Sequence, residues 1–379
     1  MTKSLSLYIH WPFCKSKCPY CDFNSHVPDG TVDEKRWVAA LNGEMAHFAA
    51  ESTDKSLKTI FFGGGTPSTM SPETAARLIE AAKDHWNKSD DLEVTLEANP
   101  TSVEAGKLTG FAEAGVNRLS LGVQSFSDKS LKFLGREHSS RDALNAISLA
   151  CETFERFSFD LIYGLPAQSL DGWKTELNQA LELAGGHLSA YQLSVEKGTP
   201  FYRDHVLELD PDQGADFFNL IHEVMALSGY DHYEISNYAK PGHACRHNVE
   251  IWQGGDYAGI GPGAHARLSG EQGTDAIYQI HDPARWLAKV EKEGHGTARR
   301  AALSPKERAE EIIMTGLRLS DGVERAHFQA VSGQALEKTL NVTALEVLLK
   351  GGFLIFDDLG LRTTPEGRLC LNAVLGELL

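Results

Sequence analysis

The feature that most restricts how this chain can fold is an alternation of short apolar runs with amphipathic stretches. It fills the first two-thirds of the 379 residues. Strand-like segments fall at 5–10, 57–62, 92–97, 118–122, 157–163 and 188–195. Helical periodicity occupies 32–50, 71–85 (with Pro72 in its first turn), 103–113, stretches from 127 and 139, 170–183 and 211–227. Strands that recur every 30 to 40 residues with helices between them predict right-handed βαβ units and a parallel sheet. A closed barrel of this kind takes eight strands and about 250 residues. Six strands, with a seventh candidate at 232–235, fit an open, partial parallel β/α barrel over residues 1–240. A doubly wound sheet is the alternative.

The pattern changes further on. Residues 241–280 form a glycine-rich connecting segment, with 254–268 expected to be an ordered loop. Residues 281–379 carry helical patterns at 283–293, 305–319, 325–331 and 344–350, a hairpin at 353–363, and a last helix from 365. Helices followed by a two-stranded wing predict a C-terminal winged-helix-like domain. Many such modules bind DNA. Here 36 Lys and Arg stand against 52 Asp and Glu, a formal charge of −16, and no basic stripe supplies phosphate contacts. We therefore expect a packing or partner domain and no nucleic-acid partner.

No signal peptide and no run of about 18 apolar residues is evident, and no basic amphipathic helix offers a membrane anchor. Peripheral membrane association would depend on a partner. Three of the six cysteines lie within eight residues and the other three, Cys151, Cys245 and Cys370, are scattered. That is a metal pattern of a reducing compartment, not a disulfide framework, and it places the protein in the cytoplasm.

The clustered cysteines are Cys14, Cys18 and Cys21, directly after the first strand. In parallel barrels the active site lies at the C-terminal ends of the strands. Iron–sulfur cubanes normally take four cysteine ligands, so three thiolates leave one iron open. An open iron can chelate the amino and carboxylate groups of S-adenosylmethionine. Structural zinc, with His26, His243 or His247 as fourth ligand, is the plainer alternative, although zinc cysteines usually come as two separated pairs.

The spacing Cys-x3-Cys-x2-Cys after a first strand resembles the radical S-adenosylmethionine superfamily. The words Tyr8-Ile-His10-Trp-Pro12-Phe-Cys14, Phe62-Gly-Gly-Gly-Thr66-Pro67-Ser68, Leu96-Glu97-Ala-Asn99-Pro100, Gly122-Val-Gln124-Ser125, Leu134-Gly135-Arg136 and Asp160-Leu-Ile-Tyr-Gly164-Leu-Pro166 resemble its oxygen-independent coproporphyrinogen III dehydrogenase group. The resemblance runs nearly end to end. Three features favour the heme-chaperone branch of that group, the HemW proteins. The chain opens four residues before the first strand, without the dehydrogenase's N-terminal extension. Phe23 stands where the dehydrogenase motif has a further cysteine. His247-Asn248-Val-Glu-Ile-Trp252 matches the motif associated with heme binding in that branch.

The resemblance implies a [4Fe–4S] cluster on Cys14, Cys18 and Cys21. It also implies S-adenosylmethionine contacts from Tyr8, Tyr20, Gly64, Gly65, Thr66, Glu97, Gln124, Arg136 and Asp160. In that assignment the glycine loop 63–65 meets the methionine amino group and Arg136 pairs with its carboxylate. Heme would be held by His247, Asn248 and Trp252, with Cys245 a rival ligand and Lys240 and Arg246 near its propionates. Each residue also has an ordinary role: a turn for the glycines, a helix-start carboxylate for Glu97, a surface ion pair for Arg136, core packing for Tyr8 and Tyr20, and a structural hydrogen bond for His247.

Two functions follow. The first is heme uptake and delivery to apo-hemoproteins of the respiratory chain. The cluster and its ligand would then be structural or regulatory, gating transfer or the assembly of a homodimer. The second is an enzyme that decarboxylates coproporphyrinogen III oxidatively. Radical chemistry on an unrelated substrate ranks below both.

Overall fold

The computed structural model describes residues 3–379. Its main sheet is built from β1 (Lys3–Trp11), β2 (Lys55–Gly64), β3 (Asn87–Ala98), β4 (Arg118–Gln124), β5 (Arg156–Tyr163), β6 (His187–Gln192), β7 (Asp231–Glu234), β8 (Asn237–Ala239), β9 (Asp256–Ile260), β10 (His265–Gly270), β11 (Gly273–Gln279) and β12 (Thr297–Ala302). The spatial order is β12-β11-β10-β9-β1-β2-β3-β4-β5-β6-β8-β7. The six expected strands β1 to β6 pair in parallel and in sequence. The edges β12 and β7 do not pair with each other, so the barrel is open and partial. The seventh candidate exists as β7, but it reaches the sheet antiparallel through β8.

Side chains along these strands sort strictly by parity. Leu5, Leu7, Ile9 and Trp11 of β1 are buried against the outer helices, as are Val94, Leu96 and Ala98 of β3, Leu119 and Leu121 of β4, and Phe157 and Phe159 of β5. The alternate positions are Ser6, Tyr8 and His10; Glu93, Thr95 and Glu97; Arg118 and Ser120; Ser158 and Asp160. Strand residues i and i+2 share a face, so the inner face of the barrel is polar and the outer face apolar. Outer helices start where short polar residues take up the first free N–H groups. Asp33, Ser71, Ser169 and Asp210 each cap one, and Ser139 forms a capping box with Asp142.

The stretch 254–268, expected as a loop, is instead mostly strand. β9 runs parallel beside β1, and β10 to β12 continue as an antiparallel meander. The glycines that suggested a loop serve close backbone approach. A Cβ on Gly259 would lie 1.8 Å from the His265 carbonyl oxygen, and one on Gly261 2.4 Å from that of His10. The helix Pro283–Glu293 also belongs to this half, not to the C-terminal one. Its Trp286 stacks on Trp37 at 5.2 Å and joins the main buried cluster. A second cluster, from Ala309 to Leu378, holds the C-terminal domain together. There β13 (Val323–Glu324), β14 (Leu354–Phe356) and β15 (Gly360–Thr363) form a small antiparallel sheet, the wing expected from sequence.

Candidate cofactor site

A cavity of about 380 Å³ opens at the C-terminal ends of β1 to β6. The loop after β1 carries Cys14, Cys18 and Cys21 to its rim as free thiols. That loop is pinned at several points. The Cys14 amide donates to the His26 carbonyl and the His26 amide to the Pro12 carbonyl. Asn24 Nδ2 donates to the carbonyls of Pro262 and His281, both at 2.9 Å. Burial pushes His10 down to about 4, so it is neutral at physiological pH. Its Nε2 then donates to the Asn24 carbonyl at 2.9 Å while Nδ1 accepts from the Tyr8 hydroxyl at 3.2 Å. Tyr8 therefore does not line the cavity; it acts on the cysteine loop through His10.

Each thiol has a polar neighbour. Thr66 Oγ1 donates to Cys14 Sγ at 3.2 Å, Arg136 Nη1 to Cys18 Sγ at 3.4 Å, and Ser25 Oγ lies 3.9 Å from Cys21 Sγ. Two of these contacts belong to one network. Arg136 Nη2 donates to Asn99 Oδ1 at 2.5 Å and to the Gly122 carbonyl at 2.8 Å, and Asn99 Nδ2 donates to Thr66 Oγ1 at 3.3 Å. The chain Cys18–Arg136–Asn99–Thr66–Cys14 thus links two thiols from outside. Donors aimed at sulfur orient thiolate ligands and tune a cluster. Arg136, assigned from the resemblance to a ligand carboxylate, has these donors committed to Cys18, Asn99 and Gly122. Asn99 was not singled out from sequence; its signal was its place two residues after Glu97.

Among the described residues no three His, Cys, Asp or Glu side chains converge on a point that could hold a single metal ion. The histidines considered as a fourth zinc ligand are placed elsewhere. His26 Nε2 is bonded to Asn24 Oδ1 at 2.9 Å, His247 is buried on Thr59, and His243 packs against Gly186. Three thiols spread around a cavity rim suit a polynuclear cluster.

The floor of the cavity holds Glu97 and Asp160. Burial, then the neighbouring Asp160, raises Glu97 to about 8, opposed by the Gly64 amide that donates to it. Burial raises Asp160 to about 6, opposed by Ser189. Two acids this poorly compensated suit a cationic ligand, and the sulfonium of S-adenosylmethionine is one. Gln124, at the mouth of β4, holds φ at 72° without being glycine, a conformation that the surrounding structure must enforce. Tyr20 closes one side, packed on Phe201, and Gly65 and Thr66 line another. Gly64 does not line it. Its φ is 111°, and a Cβ there would strike the His10 ring at 2.6 Å, so this glycine is required by the protein's own packing. The structure therefore brings together Cys14, Cys18, Cys21, Tyr20, Gly65, Thr66, Glu97, Gln124, Arg136 and Asp160.

Glu104 was also missed by the sequence. It lines the cavity, 1% exposed. It accepts from Ser68 and from the Asn99 amide, and its Oε1 is buried with no partner.

The structure does not bring His247, Asn248 and Trp252 to this cavity. They lie on the helix Arg246–Trp252, at the opposite end of the barrel. His247 is 3% exposed, with Nδ1 2.8 Å from Thr59 Oγ1, its amide donating to Glu93 and its ring stacked on Phe61 at 4.9 Å. The Asn248 amide is turned to the Cys245 sulfur, and Trp252 lies under the Arg318 guanidinium at 4.6 Å. Cys245 is itself buried against Glu93. In this fold the motif packs into the barrel floor, away from the cysteine-rimmed cavity.

Comparison with known proteins agrees with the geometry. The radical SAM superfamily matches residues 8–180 and the HemN C-terminal domain matches 303–370. The Escherichia coli protein named heme chaperone HemW is 38% identical over 373 residues, covering 98% of this chain and 97% of that one. The Bos taurus mitochondrial radical S-adenosyl methionine domain-containing protein 1 is 40% identical over 385 residues, covering 99% and 87%. The structure of coproporphyrinogen III oxidase (HemN) from Escherichia coli superposes with a TM-score of 0.83 at 22% identity, covering 99% of this chain and 90% of that one, which establishes a shared fold. With its cysteine-rimmed cavity and its near full-length likeness to those relatives, the chain belongs to the HemW heme chaperone family of the radical S-adenosylmethionine superfamily.

Proposed function

We propose that this protein binds heme and hands it to heme-requiring apoproteins, including those of the respiratory chain, in a reducing, cytoplasmic setting. The observation that carries this reading is the 38% identity, end to end, to a protein named as a heme chaperone. The superfamily implies a [4Fe–4S] cluster and S-adenosylmethionine. Cys14, Cys18 and Cys21 would hold the cluster, and Glu97 and Asp160 would face the cationic part of the ligand. When bound, this pair supplies one-electron chemistry. The protein's own residues orient the sulfurs through Thr66 and Arg136, exclude water behind Tyr20, and keep a proton on Glu97 until a cation arrives. Contact with membrane-bound recipients would be peripheral, since among the described residues no helix is long and apolar enough to cross a membrane.

The test is a paired assay on anaerobically reconstituted protein. Heme-loaded protein is mixed with an apo-hemoprotein and recovery of its activity is followed. A parallel sample receives S-adenosylmethionine, a reductant and coproporphyrinogen III. Heme transfer without protoporphyrinogen supports the proposal. Protoporphyrinogen formed over many turnovers replaces it with the dehydrogenase reading.

A further inference from the structure

Glu44, on the helix Glu34–Ala50, is a fully buried acid that does not line the cysteine-rimmed cavity. Its two oxygens serve two different segments. Oε2 accepts from the Gly261 amide at 2.8 Å, in the turn after β9, and Oε1 accepts from the Gly296 amide at 2.6 Å, just before β12. Trp286 Nε1 donates to the same carboxylate at 3.1 Å. Both amides belong to glycines that the packing requires. Gly261 lies under the His10 carbonyl, and a Cβ on Gly296 would lie 2.1 Å from the Trp286 ring. Buried amides need acceptors, and a carboxylate taken out of water is costly unless it is hydrogen-bonded. Here each need answers the other.

The two segments held by Glu44 are the ones that hold Asn24. Pro262 follows Gly261, and its carbonyl is one of the two that receive Asn24 Nδ2. His281 supplies the other, and the residue before it, Ile280, donates its amide to the Gly296 carbonyl at 2.9 Å. The arms also close on each other, since the Gly263 amide donates to the Ile280 carbonyl at 2.9 Å. The result is a closed ring of backbone with one carboxylate at its hub. The fit against the loop is tight: a Cβ on Gly263 would lie 2.4 Å from Asn24 Nδ2. On the loop side, Asn24 takes the His10 ring on its carbonyl and lies next to Ser25, whose hydroxyl neighbours the Cys21 sulfur.

We propose that Glu44 is a positioning residue for the iron–sulfur cluster: it fixes the two carbonyls that hold Asn24, and through Asn24 the loop that carries Cys14, Cys18 and Cys21. It touches neither sulfur nor ligand, and the inference rests on the cluster assignment made above. The two oxygens are what the task requires. A neutral amide in this place has one acceptor for two backbone donors, so one arm of the ring loses its hold and Asn24 shifts with it. The displacement falls first on Cys21, because Ser25 moves with Asn24. A residue that only stabilised the core would leave the sulfurs where they are.

The test uses full-length protein reconstituted anaerobically. It reads the rate at which an iron chelator strips the cluster, and the electron paramagnetic resonance of the reduced cluster with S-adenosylmethionine added. Glu44→Gln is expected to speed cluster loss about three- to tenfold, at or below the usual effect of removing a group that holds a metal ligand in place, and to shift the resonance. Glu44→Asp keeps the charge but is too short to reach both amides; it is expected to act in the same direction and serves where the glutamine variant does not fold. Asn24→Ala is expected to speed loss about tenfold with a similar shift. Adding Glu44→Gln to it is expected to change little, because both cut one tether. Leu177→Ala, in the same core on the helix Leu170–Leu183, lowers stability comparably and is expected to keep the wild-type rate and resonance. The proposal is overturned if a folded Glu44 variant matches wild type in both readouts, if Leu177→Ala loses its cluster as fast as Glu44→Gln, or if the effects of Glu44→Gln and Asn24→Ala multiply in the double variant. Each of those results leaves the cluster assignment standing. Wild type that takes up no cluster overturns that assignment and this inference with it.

Discussion

The paired acids on the cavity floor make a quantitative prediction about pH. Glu97 titrates at about 8 and Asp160 at about 6, so near pH 7 the pair carries roughly one negative charge. A sulfonium gains most when both are ionised, so its binding must expel the Glu97 proton. S-adenosylmethionine and S-adenosylhomocysteine share every ionisable group and differ by the sulfonium charge. The ratio of their affinities therefore isolates its interaction with the acids. Binding that releases one proton strengthens about tenfold per pH unit. The ratio is expected to rise about a hundredfold between pH 6 and 8 and to level off above. Glu97→Gln should lower the ratio at pH 8 and leave only a step near or below pH 6, from Asp160. Calorimetric titration of reconstituted protein with both ligands from pH 5.5 to 9 measures it. A wild-type ratio constant across that range, or a Glu97→Gln profile matching wild type, refutes the reasoning.

Other perturbations test other layers. Asn99→Ala breaks the bridge between Arg136 and Thr66; cluster retention under a chelator should fall about tenfold, the usual loss when an outer-shell partner is removed, as followed by visible absorbance. Glu44 is fully buried, accepts from the amides of Gly261 and Gly296 and from Trp286 Nε1, and is raised by burial to about 7. The unfolded chain ionises it near 4.5, so wild-type stability should fall by about 3 kcal/mol as pH rises from about 4.5 through about 7. Glu44→Gln should abolish that fall yet cost about 2–4 kcal/mol at pH 5 by leaving buried donors to share one carbonyl. Urea unfolding should then show a narrower gap between the two proteins at pH 8 than at pH 5. His247→Ala should cost about 3 kcal/mol in the same assay, from a cavity and a stranded Thr59 hydroxyl.

The parallel half of the fold was legible because its strands are bracketed by helices and carry long apolar faces. The polar inner residues broke those runs only at alternate positions, so Glu97 stood out near the end of β3; Asp160, midway along β5, was identified only through the family resemblance. β9 to β12 were missed for a physical reason. Their glycines permit backbones to approach across the sheet, and locally that is indistinguishable from turn chemistry. The helix Pro283–Glu293 was read correctly as a helix but put with the wrong half, because nothing local reveals that Trp286 meets Trp37. The cysteines were legible from spacing alone. The Arg136–Asn99–Thr66 network was not, since it joins three loops. His232 and Arg368, 136 residues apart, meet only through the packing of one domain on the other. The packing of His247 on Thr59 and Phe61 was not legible either, since its motif says nothing of its neighbours in the barrel floor.

The anchoring of Asn24 to the His281 carbonyl has a consequence for the time at which the protein can be assembled. The two residues are 257 positions apart. A ribosome adding about 5–20 residues per second needs roughly 13 to 50 s to cover that distance. For that interval the cysteine loop has emerged but lacks its tether, and the first strand has yet to receive β9. Iron delivered in that window would meet thiols that are not yet held in place. Maturation should therefore follow synthesis of the meander, and nascent chains arrested before residue 281 should be poor acceptors of iron and sulfide.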